Sequence, residues 1–351
     1  MSNIKYKLFS EIDLKDPFFD SLKEDYIEFT DWYQRKANED KKAFVLYEDN
    51  RLLAFLYLKI ERDRVEDVEP NLEAKKRLKV GTFKVEAHGT KLGERFIKRI
   101  FDTAIAKAID EIYLTIFAKH DSLIGIFKTF GFFEYGRKTT SNGEEIVLIK
   151  QIGKLKDDIL KDYPMVQMEN RSIYGLSIYP EFHTRLFSDS ILNNERVDII
   201  KDVSHTNSIH KIYLCNMQGV TAFRNGDIVL IYRTNDKKGY ARFRSVMTSV
   251  CIVEESININ QFNTLEDFLS YCRPYSVFTE DELIKFYQTK RYPYIIKITY
   301  NLAFKKRVTR GELIDNIGLN PNEYWGVLNI NRTQFNQIIR AGEVNESLIV
   351  N

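Results

Sequence analysis

The 351-residue chain is short of several things, and each shortage excludes a class of protein. Its 3 cysteines are an odd set without metal-ligand spacing, so Cys215, Cys251 and Cys272 are expected to be reduced thiols rather than a disulfide framework. No apolar run approaches the ~20 residues that span a bilayer, and the opening MSNIKYKLFSEIDLKD lacks the apolar stretch of a secretory leader. The expectation is a cytoplasmic protein without membrane association. Low-complexity tracts are missing too, which argues against disorder. Histidine is scarce, with 5 in all, and His205 and His210 have no companions, so no metal site is expected. Neither GxxxxGK[ST] nor GxGxxG occurs, which leaves kinase and dehydrogenase readings unsupported. No large charge excess exists either, since the net charge is only +2.

What is present is enough apolar material for real cores, 44% of the residues, in a length that predicts two domains. Residues 1–152 read as a mixed α/β unit in the order α-β-β-β-α-β-α-β-β, with hairpin turns at Asp49-Asn50 and Asn142-Gly143. Residues 153–169 read as a linker. Residues 170–351 turn towards β: IVLIYR, ARFRSVMTSVCIVEES and YPYIIKITYNLAFKKRVT are rich in β-branched and aromatic residues. Helical segments are interspersed, one of them with the cap pair Thr279 and Glu282. The fold class expected is α/β (α+β): a mixed sheet with flanking helices, then a small, partly open β-barrel domain with helices.

The stretch VEAHGTKLGERFIKRIF leaves a strand at Val85, turns through Gly89 and Gly93, and enters a basic amphipathic helix. A helix start after such a turn offers backbone N–H groups and a positive dipole end to a phosphate, although an ordinary turn has the same composition. HGTKLGERFIKRIF resembles the acyl-CoA signature of the GNAT superfamily of N-acetyltransferases, R/Q-x-x-G-x-G/A. His88 stands at the Arg/Gln position, Lys91 at the first glycine and Gly93 at the last, so two of the three depart from the pattern. The block EIYLTIFAKHDSLIGIFKTFGFFEYG resembles the family's strand, helix and LGF turn, with Phe130-Gly131-Phe132 as the turn. The resemblance covers about residues 1–150 and implies acetyl-CoA as cofactor. It implies a splayed strand pair, GTFKVE and IYLTIF, around the pantetheine arm. The implied cofactor residues are Phe83, Val85, His88, Gly89, Thr90, Lys91, Leu92, Gly93, Glu94 and Phe127. Glu86 is the candidate base, or else an exposed strand-end carboxylate. The family's usual tyrosine acid falls on Phe127, which donates no proton, so either the thiolate leaves unassisted or with water, another donor such as Thr115 or His120 serves, or catalysis is lost. His120 is equally readable as a capping or surface residue.

Residues 219–256 resemble PUA-like modules of the ASCH and EVE kind, chiefly in strand order and the Gly226-Asp227 turn before IVLIYR. That resemblance implies an RNA or modified-base ligand. Basic side chains gather in support: Arg233, Lys237, Lys238, Arg242 and Arg244, then Lys305, Lys306 and Arg307 in a stretch from Leu283 to Gly311 without one acid. A solvated face has the same composition. The function expected is an acetyl-CoA-dependent N-acetyltransferase directed by its PUA-like domain to RNA, aminoacyl-tRNA or an RNA-associated protein. The alternative is a degenerate transferase domain that senses acyl-CoA or scaffolds an RNA-binding protein.

Overall fold

The computed structural model describes residues 4–86, 91–187 and 208–351. They fall into two compact units divided between Asp162 and Tyr163, both of mixed α/β composition.

The first unit is built on β1 (Lys5–Leu8), β2 (Lys42–Glu48), β3 (Arg51–Glu61), β4 (Arg77–Val85), β5 (Glu111–Phe117), β6 (Phe133–Thr140) and β7 (Gly143–Gln151). They form one sheet in the order β1-β2-β3-β4-β5-β7-β6. Helices α1 (Asp20–Asp25) and α2 (Phe29–Asn38) precede β2, α3 (Leu92–Ala106) follows β4, and α4 (Asp121–Thr129) follows β5. Asp49 and Asn50 both take positive φ, 48° and 65°, the two-residue turn whose twist matches a hairpin. Leu92, Phe96, Ile100 and Ala104 recur at helical spacing and bury one side of α3. Beneath α1 and α2, Phe9, Phe19, Tyr33, Phe55 and Tyr57 pack edge to face or tilted, with centroids near 5 Å. Every neighbouring strand pair is antiparallel except the central one, β4 with β5.

The second unit begins with β8 (Val166–Gln167), β9 (Ile173–Ile178), α5 (Pro180–Leu186), β10 (His210–Cys215), β11 (Ile228–Arg233), α6 (Ala241–Arg244) and β12 (Val246–Asn258). It continues through α7 (Leu265–Cys272), α8 (Glu280–Thr289), β13 (Tyr294–Thr309), α9 (Arg310–Asp315), β14 (Val327–Asn329), α10 (Arg332–Ala341) and β15 (Ile349–Val350). The main sheet runs β10-β13-β12-β11-β9-β14, and β8 pairs separately with β15. No pairing joins the edge strands β10 and β14 among the described residues, so the sheet is open and not a closed barrel. The Gly226-Asp227 turn has a local cause. Gly226 sits at φ +88°, and the buried Asp227 carboxylate accepts from the backbone N–H groups of Ser172 and Arg224 at 3.0 and 2.8 Å. Thr279 and Glu282 form a reciprocal capping box at the start of α8. No helix among the described residues is long and apolar enough to cross a membrane.

Candidate functional site

The central parallel pair of the first unit is joined only at Leu78↔Ile112, Lys79↔Tyr113 and Val80↔Leu114. Beyond these residues β4 stays with β3 as far as Val85↔Ala54, and β5 stays with β7 as far as Phe117↔Glu145. The two strands therefore part at Gly81. That residue is the extra one of a bulge, since Tyr57 pairs with Thr82 and Leu58 with Val80. A Cβ on Gly81 would lie 2.8 Å from Tyr57 Cδ1, which explains the glycine. Ladder alternation tells which backbone groups face the opening. Glu86 N–H donates to Leu53 O, so Lys84 likewise faces β3 while Phe83 and Val85 turn their N–H and C=O groups into the gap. Ile152 N–H donates to Asp110 O, which by the same alternation turns Thr115 and Phe117 inward from the other side.

Because β4 and β5 are parallel, both of their C-terminal ends lie on one side, and the candidate acid–base groups collect there. Lys84 Nζ donates to Ser21 Oγ at 2.7 Å and pairs with Glu86 at 2.8 Å, while Arg51 approaches the second Glu86 oxygen at 3.6 Å. Glu86 is thus a partly exposed carboxylate flanked by two cations. His120 precedes the first turn of α4, and its Nε2 lies 3.2 Å from Asp25, which also pairs with Lys119. Glu86 and His120 share no partner among the described residues. Phe83 points the opposite way, its ring 6.0 Å from Phe96 and 5.9 Å from Phe127. Phe127 is fully buried and also packs on Phe132 at 4.9 Å, so the position expected to carry a phenol holds a core ring.

Lys91 precedes α3 and lies 3.5 Å from Glu94. Leu92 and Gly93 are buried in the first turn, and a Cβ on Gly93 would come within 3.1 Å of Ile126 Cδ1. That glycine therefore has a reason in the approach of α3 to α4. His88, Gly89 and Thr90 lie outside the described residues, as does His205. Tyr26 escaped the sequence reading. Its ring lies 5.2 Å from Phe117, and its hydroxyl donates to the buried Glu145 carboxylate at 2.6 Å. Burial first, then Glu145, hold that phenol well above its ordinary pKa. Nothing local in the sequence signals a partner 119 positions away.

In the second unit, register brings the two basic groups to one end of the main sheet. Arg233 at the end of β11 is opposite Ile178 and Val246, and Val246 is opposite Thr309 at the end of β13. Between Met247↔Val308 and Ser249↔Ala303, β12 spends one residue, Thr248, while β13 spends Phe304, Lys305, Lys306 and Arg307. The Lys305–Arg307 run accordingly bulges out of the ladder. Lys237, Lys238 and Lys305 are exposed and make no ion pair among the described residues. The others are engaged: Arg244 forks onto Asp236, Arg242 pairs with Asp315, Lys306 lies 3.8 Å from Glu312, and Arg307 donates to Phe304 O. Arg233 is not on the surface. It is buried on the side of the sheet that holds His183, whose Nε2 lies 2.8 Å from Thr248 Oγ1 and whose Nδ1 has no hydrogen-bond partner among the described residues. Burial, reinforced by the Arg233 and Arg307 cations, pushes the His183 imidazole down to about 3.

A scan against models of protein families finds no match, and a search of curated proteins finds none. Solved structures give faint likenesses of two kinds. A serine-to-alanine variant of the ASCH protein of Zymomonas mobilis is 9% identical with a TM-score of 0.32, over 49% of this chain and 98% of its own. The NatC complex bound to Gag peptide and CoA is 17% identical at a TM-score of 0.29, over 43% and 99%. An acyl-CoA N-acyltransferase from Pseudomonas aeruginosa is 18% identical at 0.27, over 42% and 98%. Scores this low carry no weight for chemistry, which rests on the strands and side chains themselves.

Proposed function

We propose that the first unit binds acetyl-CoA and transfers its acetyl group to an amine, and that the second unit directs this activity to RNA or an RNA-associated acceptor. The observation that carries the first half is the parting of β4 from β5 after three residue pairs. Peptide groups of Phe83, Val85, Thr115 and Phe117 face one another there without a shared ladder, and an arm that itself contains amides, such as pantetheine, fits that need. Phosphates at its far end suit the positive dipole end of α3 and the Lys91 ammonium. The bound thioester supplies an activated acetyl group. Glu86, at the open end of β4, receives the proton that the acceptor amine loses, through water. His120, which follows β5 at the start of α4 and is oriented by Asp25, is the counterpart that returns a proton to the leaving sulfur. Phe127 takes no part in proton transfer; its ring walls the gap through Phe83.

A second reading has its own observation. The position where the GNAT resemblance places a tyrosine holds a buried phenylalanine, which is what a domain that binds acyl-CoA without catalysis would tolerate. Calorimetric titration with acetyl-CoA, alongside release of free thiol in the presence of a mixed amine pool, separates the two. The transferase reading expects binding weakened at least tenfold by Lys91→Glu, and thiol release slowed by Glu86→Gln with binding unchanged. Binding without amine-dependent thiol release selects the sensing reading. No binding by the natural chain removes both.

A further inference from the structure

The end of the second unit's sheet that carries the basic groups also carries aromatic rings in water. Tyr179 is 60% exposed, Tyr240 82%, Phe243 66% and Tyr324 69%, against only three other large hydrophobic side chains exposed among the described residues. Isolated exposed aromatics need no explanation, but four on one sheet end do. Pairing shows that they belong together. Tyr179 follows Ile178, which is opposite Arg233, and Thr234 N–H donates to Ile178 O. Tyr240 and Phe243 lie in the connection from Arg233 to Val246, which are opposite each other. Tyr324 and Trp325 run in beside β9, where Ser177 N–H donates to Gly326 O and Leu176 is opposite Val327. The four rings therefore sit on the ends of β14, β9, β11 and β12, neighbours in the sheet, a spread of about 14 Å at ~4.8 Å per strand.

The charges around them are mixed: Glu181 and Glu323 are exposed carboxylates close in sequence to Tyr179 and Tyr324. Asp236 and Asp315 are each taken up by an arginine, Arg244 and Arg242, while Lys237 and Lys238 are exposed in the same connection that carries Tyr240 and Phe243. One cation already lies on an aromatic face here, with the Arg310 guanidinium 4.0 Å from the centroid of Trp325. We infer that this end is a stacking platform for single-stranded RNA, on which Tyr179, Tyr240, Phe243 and Tyr324 receive bases while Lys237 and Lys238 take the phosphates. Exposed rings serve unpaired bases and not a duplex, whose bases are already stacked on each other. Three of the four rings are phenols, which offer hydrogen-bond partners to ribose 2′-hydroxyl groups. The inference rests on the RNA reading of the second unit and names its ligand and contacts.

The test is fluorescence anisotropy of the full chain with a short fluorescein-labelled oligouridylate, the same oligomer in duplex with oligoadenylate, and a deoxythymidylate of equal length. The platform predicts that the single RNA strand binds at least tenfold more tightly than the duplex or the deoxy strand. Tyr240→Ala with Phe243→Ala should weaken that binding roughly tenfold to a hundredfold, without changing the melting temperature, since both rings are in solvent. Lys237→Glu with Lys238→Glu should flatten the salt dependence. If the oligouridylate binds but the aromatic double variant binds equally well, or the duplex binds as tightly, the platform is wrong and the RNA reading stands. Equal binding of the deoxy strand overturns the commitment to RNA. If no polynucleotide binds, the RNA reading itself falls and the platform with it.

Discussion

Both units bend their sheets with bulges, yet with opposite results. In the second unit β12 and β13 stay paired from Val246↔Thr309 to Asn258↔Tyr294 despite three register shifts. In the first, a single extra residue at Gly81 coincides with the loss of all further pairing to β5. The difference lies in the neighbours. β12 and β13 are antiparallel, so a looped-out residue is absorbed and the ladder resumes. β4 is held antiparallel by β3 on one side but only by a short parallel pairing on the other, and the bulge keeps the stronger contact at the expense of the weaker. One unit thus acquires a slot inside its sheet, lined by backbone groups. The other resumes its ladders after each bulge and leaves side chains to work at the strand ends.

That contrast can be broken at Gly81. Gly81→Val brings a branched side chain against the buried Tyr57 ring, where even a Cβ would lie 2.8 Å from Cδ1. The expected cost is about 1–3 kcal/mol to the first unit, with weaker acetyl-CoA binding at temperatures where it is still folded. Thermal melting reads the first effect and calorimetry the second. A variant that melts and binds as the natural chain does would mean that the bulge does not set the gap.

A smaller effect sharpens the comparison from the other side, because the second unit hides a titratable group among its ladders. His183 is held at about 3, below its unfolded value of about 6.5. Between those values the unfolded chain binds a proton that the folded chain refuses. The second unit should therefore keep its full stability above pH ~6.5 and lose it progressively as pH falls towards ~3, by a few kcal/mol on the order expected for such linkage. His183→Phe should abolish that loss in this window. Denaturant unfolding followed by Trp325 emission in a Trp32→Phe background would show it, and an unchanged pH profile in His183→Phe would exclude His183 as the source.

Much of the fold is legible in the residues because the signals are local. The Asp49-Asn50 turn, the Thr279–Glu282 cap and the apolar stripe of α3 each act within a few positions. Elements that rely on distant partners are not. The edge strand β1 has no fully buried residue to give it a period. The helical spacing of the aromatic residues over 16–40 gives no sign of the break at Tyr26–Glu28, where Tyr26 reaches Glu145 and Ile27 N–H reaches Asn142. The run from Ala241 reads as one strand, but a turn of helix, α6, comes first, its arginines engaged by Asp236 and Asp315. For the candidate sites, the resemblance in the sequence points to the strand pair GTFKVE and IYLTIF, and the register of β4 and β5 supplies the gap. The burial of Arg233 was hidden, because a strand buried on both faces shows no alternation.

The proposed transferase requires that the space between β4 and β5 receive the acyl-CoA arm. Residue-resolved amide hydrogen exchange, with and without acetyl-CoA, asks this directly. Phe83, Val85, Thr115 and Phe117 should slow markedly when the ligand is added, while Lys84 and Ile116, already turned to β3 and β7, should change little. Protection confined to other residues, or equal in both sets, would contradict the account.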